Sequence, residues 1–181
     1  MTYTKCMKRK ILTIFCISLV ILFLFAFFVN VIVFPKKYKS FVSSLADEYG
    51  LEIALVYAVI KAESDFDKNA VSKSGALGLM QILPSTAKWI ASELKEDFNK
   101  ENLFEPQTNI KYGCFYLKYL FDKFGDREVV ICAYNAGEKK VLDWLDDGKL
   151  NKDKIDYAET KIYLKRVNKF YRVYCNKFII L

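Results

Sequence analysis

One glutamate, Glu63, ends the apolar helical run YAVIKAESDF, and its chemistry is the first question the sequence raises. The i, i+3, i+4, i+7 spacing of one buried helix face is followed by Val56, Val59, Ile60 and Glu63. A carboxyl among apolar side chains is costly when charged, so burial would raise its pKa and make it a general acid at neutral pH. The alternative is a solvated glutamate at a helix end, which is the commoner situation for this residue type.

The composition limits which groups can do such chemistry. The 181 residues include no histidine, which excludes a Ser-His-Asp triad, a Cys-His pair and histidine-based zinc sites. Acid–base work therefore falls to Asp, Glu, Lys, Tyr or Cys. No C-x-x-C pair occurs, and the three cysteines beyond the N-terminal region lie in apolar helical patterns, so we expect buried thiols and propose neither metal, cofactor nor disulfide. The five cysteines are Cys6, Cys16, Cys114, Cys132 and Cys175.

An uncharged run of 24 residues, Ile11 to Phe34, precedes the rest of the chain. It is long enough to span a bilayer, too long for the core of a typical cleaved signal, and is followed by no small-x-small cleavage pattern. A lipid-modified Cys16 is disfavoured because bulky Phe15 precedes it. The run predicts one uncleaved transmembrane anchor, and four basic residues before it against three after it favour an inside N-terminus slightly.

The part beyond the anchor is only mildly basic. It holds all 21 acidic and 24 of the 28 basic residues, which leaves a net charge near +3. That charge gives no case for nucleic-acid binding, although a modest positive bias would suit an anionic polymer such as a cell wall.

Helical patterns fill this part of the chain, with one exception. Residues 65–83 combine small and polar residues with Gly75 and Gly78, which predicts a loop whose glycines let the backbone approach a ligand closely. Pro84 and Pro106 each fit the first turn of a following helix. Because no alternating run of useful length is found, the prediction is one all-α domain.

Five sequence blocks in order resemble the catalytic domain of family 1 lytic transglycosylases, the soluble-lytic-transglycosylase type with a lysozyme-like α fold. Any one block is short, but the ordered set extends over about residues 40 to 175. One departure is Leu83 in QILP, where the family often has methionine. The blocks are AES (62–64), SGALGLMQILPSTA (74–87), PQTNIKYGCFYL (106–117), AYNAG (133–137) and ETKIYLKRV (159–167).

The resemblance implies that Glu63 is the sole catalytic acid/base. It would protonate the glycosidic oxygen between N-acetylmuramic acid and N-acetylglucosamine and then take the proton of the muramoyl 6-hydroxyl, giving a 1,6-anhydro product. Ordinary glycosidases use two carboxylates, so a mechanism with one carboxylate requires the substrate to supply the second reacting group, here its own 6-hydroxyl. The residues expected to bind substrate are Ser72, Gln81, Tyr134, Asn135, Glu159 and Tyr163.

Two other classes remain open at this stage. A goose-type lysozyme would share the fold but use water as the nucleophile, with Asp65 or Asp67 as a conceivable second carboxylate. A non-catalytic wall-binding scaffold would keep the fold without the chemistry.

Since peptidoglycan lies outside the cytoplasmic membrane, the resemblance also sets the expected topology. Residues 1–10 would be cytoplasmic, 11–34 the anchor, 35–39 a linker, and 40–181 an extracytoplasmic catalytic domain of a bacterial single-pass membrane protein. Such tethering suits local wall opening, for a growing envelope or for an assembling secretion or conjugation apparatus.

Overall fold

The computed structural model describes residues 2–148, 150–151, 154–155 and 158–179, and the chain divides into two compact units between Lys37 and Tyr38. The first unit is helix α1, Thr2–Phe28, which continues as a π-helical turn, Val29–Val33. Within the described residues, one helical stretch is long and apolar enough to cross a membrane, Lys10–Val33. Its mean hydropathy is 3.0, and its most apolar residues are not buried against the rest of the protein. This stretch coincides closely with the predicted anchor at residues 11–34.

The second unit is built from helices, as the sequence predicted. They are α2 Lys39–Glu48, α3 Ile53–Glu63, α4 Pro84–Leu94, a 3-10 helix Lys100–Phe104, α5 Pro106–Phe124, α6 Arg127–Ala136, α7 Glu138–Asp146 and α8 Ala158–Ile179.

Local sequence signals explain where several of these helices begin and end. Pro84 and Pro106 occupy the first turns of α4 and α5, where the missing backbone N–H costs nothing. The Asp126 carboxylate caps α6 by accepting from the backbone N–H of Glu128 at 2.8 Å. Gly137, with a positive φ of 89°, separates α6 from α7 and allows the chain to change direction.

A short hairpin adds a feature to the helices that hydrophobic alternation did not predict. Strands β1, Leu150–Asn151, and β2, Lys154–Ile155, pair antiparallel, with Leu150 opposite Ile155. Each has two residues, which is too short for an alternating pattern to register in the sequence.

The centre of the second unit is α3, which packs against α2 and α8. Residues 54–60 are all buried, and the ring of Tyr57 lies 5.1 Å from that of Tyr174 on α8. The expectation of one buried face on α3 is therefore wrong, because the helix is buried on every side, as helices that are apolar all round are. Glu63 is partly buried because it is the last residue of this core helix.

Candidate active site

Glu63 is a half-buried carboxyl at the last residue of α3. Burial raises its pKa from 4.5 to about 7, against the opposing effects of a hydrogen bond from Tyr163 and the positive charge of Arg166. At neutral pH the protonated and charged forms are therefore both populated. A group in this state can give a proton and later take one back.

The partners of Glu63 come from α8, which lies alongside α3. The Tyr163 hydroxyl donates to Glu63 Oε1 at 2.5 Å, and its side chain is only 6% exposed. Positions 159, 163 and 166 share one face of α8 because they are spaced i, i+4, i+7. The buried Tyr163 therefore fixes the orientation of the carboxyl, while the exposed Arg166 contributes charge from the same helix face.

The loop between α3 and α4 is held by the buried Asn109 of α5. Asn109 Oδ1 accepts from the backbone N–H of Met80 at 2.7 Å, and its Nδ2 donates to the carbonyls of Leu77 and Leu103, each at 2.8 Å. Ser64, next to Glu63, donates to the carbonyl of Leu79 at 2.8 Å. These bonds tie residues 77–80 of the loop to α5 and to the end of α3.

Two glycines allow the loop to lie this close to the helices. A Cβ on Gly78, whose φ is 75°, would lie 2.3 Å from the carbonyl oxygen of Leu103. A Cβ on Gly113 would lie 2.2 Å from the sulfur of Met80. The close approach that Gly78 permits is therefore to the protein itself, whereas the sequence suggested an approach to a ligand.

A cavity of about 190 Å³ joins three of the predicted substrate-binding residues, Gln81, Tyr134 and Asn135. The Tyr134 hydroxyl donates to the carbonyl of Met80 at 2.8 Å, so this group anchors the loop. The pKa of Tyr134 is raised well above its usual value, chiefly by burial and to a smaller extent by the charge of Glu63. Gln81 Nε2 donates to the carbonyls of Gly78 and Ala70 at 2.8 and 3.1 Å, and Asn135 Oδ1 accepts from Thr160 at 3.2 Å.

The other predicted substrate-binding residues lie outside this cavity. Ser72 Oγ accepts from the backbone N–H of Ala76 at 2.9 Å and lies 2.9 Å from Ser74 Oγ, so it closes a turn of the loop. Glu159 is exposed in the first turn of α8. Tyr163 contacts Glu63 directly through its hydroxyl.

Comparison with known proteins decides the family. The sequence model of the Transglycosylase SLT domain matches residues 40–157. The chain belongs to the transglycosylase SLT domain family. The family predicted from the five sequence blocks is therefore confirmed.

Several relatives of the SLT domain carry the names of lytic transglycosylases. The chain is 34% identical over 122 residues to membrane-bound lytic murein transglycosylase C of Haemophilus ducreyi, covering 61% of this chain and 33% of the relative. It is 32% identical over 154 residues to a putative soluble lytic murein transglycosylase of Haemophilus influenzae, covering 79% of this chain and 26% of the relative. The chain thus spans a third or less of the length of these relatives.

Solved structures give the same fold. An inactive Glu-to-Gln mutant of lytic transglycosylase Slt from Pseudomonas aeruginosa superposes with a TM-score of 0.74 at 30% identity, over 80% of this chain and 25% of that one. The 70 kDa soluble lytic transglycosylase of Escherichia coli gives a TM-score of 0.73 at 30% identity, over 81% and 25% of the two chains. The predicted lysozyme-like all-α fold is confirmed.

The two aspartates that follow Glu63 in this SLT domain, Asp65 and Asp67, lie at the surface and already have polar partners. The Asp65 side chain is 73% exposed and forms an ion pair with Lys61. Asp67 is exposed and its Oδ1 accepts from the backbone N–H of Asn69 at 2.9 Å. Among the residues that the structure describes, no hydrogen bond joins either aspartate to Glu63.

The roles of two residues of the SLT domain were not anticipated from the sequence. Asn109 makes three hydrogen bonds, two of them to the loop; its sequence signals were its place in the block PQTNIKYGCFYL and an amide on a largely apolar helix face, and neither indicates which groups it binds. Tyr116 lines the cavity, and its ring lies 5.4 Å from that of Tyr134. Among the described residues, no three His, Cys, Asp or Glu side chains are grouped as a metal site would require.

Proposed function

We propose that the chain is a membrane-anchored peptidoglycan lytic transglycosylase. It cleaves the β-1,4 bond between N-acetylmuramic acid and N-acetylglucosamine and leaves a 1,6-anhydromuramoyl end. The observation that carries this proposal is the Glu63 carboxyl, partly buried, with a pKa near 7 and oriented by Tyr163. Membership of the SLT domain family and the names of the relatives support it.

In the proposed mechanism Glu63 acts twice. Its protonated carboxyl donates to the glycosidic oxygen as the bond to the anomeric carbon breaks, and the N-acetylglucosamine side leaves as an alcohol. The carboxylate then removes the proton of the muramoyl 6-hydroxyl while that oxygen bonds to the anomeric carbon. The proton returns to Glu63, and no water is consumed.

The remaining residues hold the sugars in this mechanism. Gln81 offers Oε1 as an acceptor, because its Nε2 already donates to the carbonyls of Gly78 and Ala70, and Asn135 offers an amide toward acetamido groups without adding charge. Tyr134 presents a ring face for sugar stacking and keeps the loop in place through Met80. Ser72, outside the cavity, is proposed to contact the peptide or lactyl side of the substrate, and Glu159, exposed in the first turn of α8, is proposed to bind substrate.

The use of one carboxyl distinguishes this proposal from a lysozyme-like hydrolase. Retaining and inverting glycosidases place two carboxyls about 5–9.5 Å apart across the scissile bond. The candidates for a second carboxyl, Asp65 and Asp67, are exposed and hydrogen-bonded to Lys61 and to the loop backbone. When the substrate's own 6-hydroxyl bonds to the anomeric carbon, no second carboxyl is needed.

Analysis of the products tests the proposal. Full-length protein in detergent is incubated with purified peptidoglycan, and the fragments are weighed; anhydro ends are about 18 mass units lighter than hydrolysed ends, since one water is not added. Glu63→Gln should lose at least about 10²–10⁴-fold in rate, because general acid–base catalysis is removed. The matched control Asp65→Asn should keep its activity. Hydrolysed reducing ends would assign a lysozyme instead, and full activity of Glu63→Gln would refute the site.

The subsite residues are tested separately. Gln81→Ala removes an amide of the cavity, and Tyr134→Phe removes the hydrogen bond to Met80 that holds the loop; each should lower activity by about 5- to 150-fold, since such polar contacts contribute roughly 1–3 kcal/mol. Circular dichroism checks that both variants fold. Wild-type turnover of Gln81→Ala would refute a role of this amide in sugar binding, and wild-type turnover of Tyr134→Phe would show that activity does not depend on the bond from Tyr134 to Met80.

The anchor and the domain bounds are part of the proposal. The 24 residues of Lys10–Val33 extend about 36 Å as a helix, enough for a hydrocarbon core of about 30 Å. Residues 1–10 are then cytoplasmic, 11–34 the single-pass anchor, 35–39 the linker and 40–181 the catalytic domain outside the membrane. Mass spectrometry of the mature protein tests this: a chain starting after residue 25 would mean a cleaved signal and no anchor.

A further inference from the structure

Helix α8 concentrates positive charge that the composition of the whole chain conceals. Of its residues Ala158–Ile179, six are basic and one, Glu159, is acidic, so the helix carries a net charge of +5. The part of the chain beyond the anchor holds 24 basic and 21 acidic residues, which leaves 18 basic and 20 acidic residues, a net charge of −2, outside α8. A charge gathered on one element creates a local field although the net charge is small.

Five of the six basic side chains of α8 lie on its solvent-facing side. The helix packs against α3 and α6 with its buried positions 160, 163, 164, 167 and 174. Positions 161, 165, 169 and 172 recur at helical spacing on the other side, along about 16 Å of the axis. The exposed basic residues, which we call the basic face, are Lys161, Lys165, Arg166, Lys169 and Arg172.

The charges of the basic face are not paired with carboxylates in the part of the chain that the structure describes. The ion pairs found there join other residues. Glu159, the one acidic residue of α8, lies at the edge of the basic face, on the side of Arg166. Ile162, with 58% of its side chain exposed, lies among the cations. An unpaired row of cations with an exposed apolar side chain suits a polyanion that also has an apolar part.

The position of the basic face separates it from the glycan at the candidate active site. Tyr163, which contacts Glu63, is buried on the side of α8 that packs against α3, whereas Lys161 and Lys165 project from the opposite side. A strand held at Glu63 would therefore not lie along the basic face.

The proposed anchor favours lipid headgroups as the polyanion. A linker of five residues, 35–39, extends at most about 18 Å and keeps the domain at the membrane surface. Each Lys or Arg held at an anionic lipid surface raises the affinity roughly 5-fold, so five of them on one face orient a domain that is already tethered.

We propose that the basic face of α8 docks the domain on anionic lipid headgroups of the membrane that holds the anchor. This inference rests on the proposed function, because only a domain anchored at that membrane would face its lipids. The side of α8 that carries Tyr163 takes no part in the contact, so Glu63 stays accessible to the glycan.

The reactivity of lysines in the reconstituted full chain tests the proposal. The protein is inserted in vesicles of phosphatidylcholine alone or of equal parts phosphatidylcholine and phosphatidylglycerol, and a water-soluble reagent acylates exposed amines, which peptide mass spectrometry locates. The rates of Lys161, Lys165 and Lys169 are divided by that of the exposed Lys88 on α4 in the same molecules, which corrects for the orientation of insertion. In the anionic vesicles this ratio should fall at least about 5-fold, and about 1 M salt should restore it, since charges are then screened within about 3 Å.

Neutralising part of the basic face is the second arm of the test. Combining Lys165→Gln, Lys169→Gln and Arg172→Gln should abolish the protection of Lys161, and circular dichroism checks the fold. A matched control loses the same charge from three exposed lysines elsewhere and should keep the protection. Its substitutions are Lys100→Gln, Lys139→Gln and Lys140→Gln.

Several results would overturn the proposal. They are an unchanged ratio in anionic vesicles, a fall that salt leaves in place, and a fall that persists when the basic face is neutralised. A ratio that falls in detergent with soluble polyglycerol phosphate, but in neither kind of vesicle, would assign the basic face to a wall polymer instead.

This test and that of the proposed function fail separately. Flotation of the chain with phosphatidylcholine vesicles reports on the anchor, product masses report on the chemistry, and the lysine ratio reports on the basic face. Flotation and anhydro products with an unchanged ratio would remove the docking surface alone. A fall in the ratio without cleavage of peptidoglycan would remove the enzyme assignment alone.

Discussion

Replacing Glu63 by Gln should make the protein more stable at neutral and alkaline pH while it removes activity. Moving the pKa of Glu63 from its usual 4.5 to about 7 corresponds to about 3 kcal/mol, since each pKa unit is worth about 1.4 kcal/mol. Because the carboxyl is only partly buried, we expect about 1–3 kcal/mol. Glutamine keeps the shape and avoids the cost of the buried charge, as functional groups often oppose stability.

The sign of the pH dependence follows from the two pKa values. Below about pH 4.5 the carboxyl is protonated in both the folded and the unfolded chain, so Glu63 adds no pH dependence. Between about 4.5 and 7 the folded chain keeps a proton that the unfolded chain has lost, so stability falls as the pH rises. Above about pH 7 the cost is complete, and the advantage of Glu63→Gln should be largest there.

Urea unfolding of the full chain in detergent measures this effect. Fluorescence reports on Trp89 and Trp144, both in the second unit, and circular dichroism should give the same midpoint if the transition is two-state. The exposed Glu93→Gln is the matched control and should show no such change with pH. A stability difference between Glu63→Gln and the wild type that is constant from about pH 4.5 to 8, or that favours the wild type at about pH 8, would refute the reasoning about burial.

Three further predictions test the surroundings of Glu63. Tyr163→Phe removes a hydrogen bond that favours the charged carboxylate, so the pKa of Glu63 should rise and the alkaline limb of the pH–rate profile should move to higher pH; a move to lower pH would contradict this. Asn109→Ala removes three hydrogen bonds, to the N–H of Met80 and to the carbonyls of Leu77 and Leu103, although the Leu77 carbonyl still accepts from the backbone N–H of Ile82; the change should cost about 2–4 kcal/mol in urea unfolding, whereas a loss within about 0.5 kcal/mol would show that the loop does not depend on Asn109. Cys132, whose thiol is buried with its pKa raised to about 12, should be free by intact mass, and Cys132→Ala should lower stability by about 1 kcal/mol with little change in turnover; a disulfide or an inactive folded variant would refute this.

The helices and the loop of the second unit could be predicted because their signals are local. Pro84, Pro106 and the Asp126 cap mark helix starts within a few residues of the bonds that they make or omit. The hairpin at 150–155 escaped because a two-residue strand leaves no period to detect. The spacing of apolar residues also predicted one buried face for α3, whereas residues 54–60 are buried on all sides. In a short apolar helix the same spacing occurs in both cases.

The geometry of the candidate site depends on long-range contacts that local patterns do not encode. Tyr163 and Glu63 are 100 residues apart, and Asn109 reaches the loop across 29 to 32 residues. The resemblance nominated Tyr163 as a substrate-binding residue, but the structure places its hydroxyl on the carboxyl oxygen of Glu63. It likewise turns the hydroxyl of Tyr134 toward Met80. In both cases the residue was predicted and its contact was not.

A pKa near 7 is what a mechanism with one carboxyl requires. The same group must first donate a proton to a leaving oxygen and then accept one from a hydroxyl, so neither form can be strongly disfavoured. Burial alone would hold the carboxyl protonated, whereas the Tyr163 hydroxyl and the Arg166 charge favour the carboxylate. Because both partners lie on α8 and burial comes from the end of α3, the packing of these two helices sets the balance. Small changes in that packing should therefore shift the pH optimum before they abolish activity.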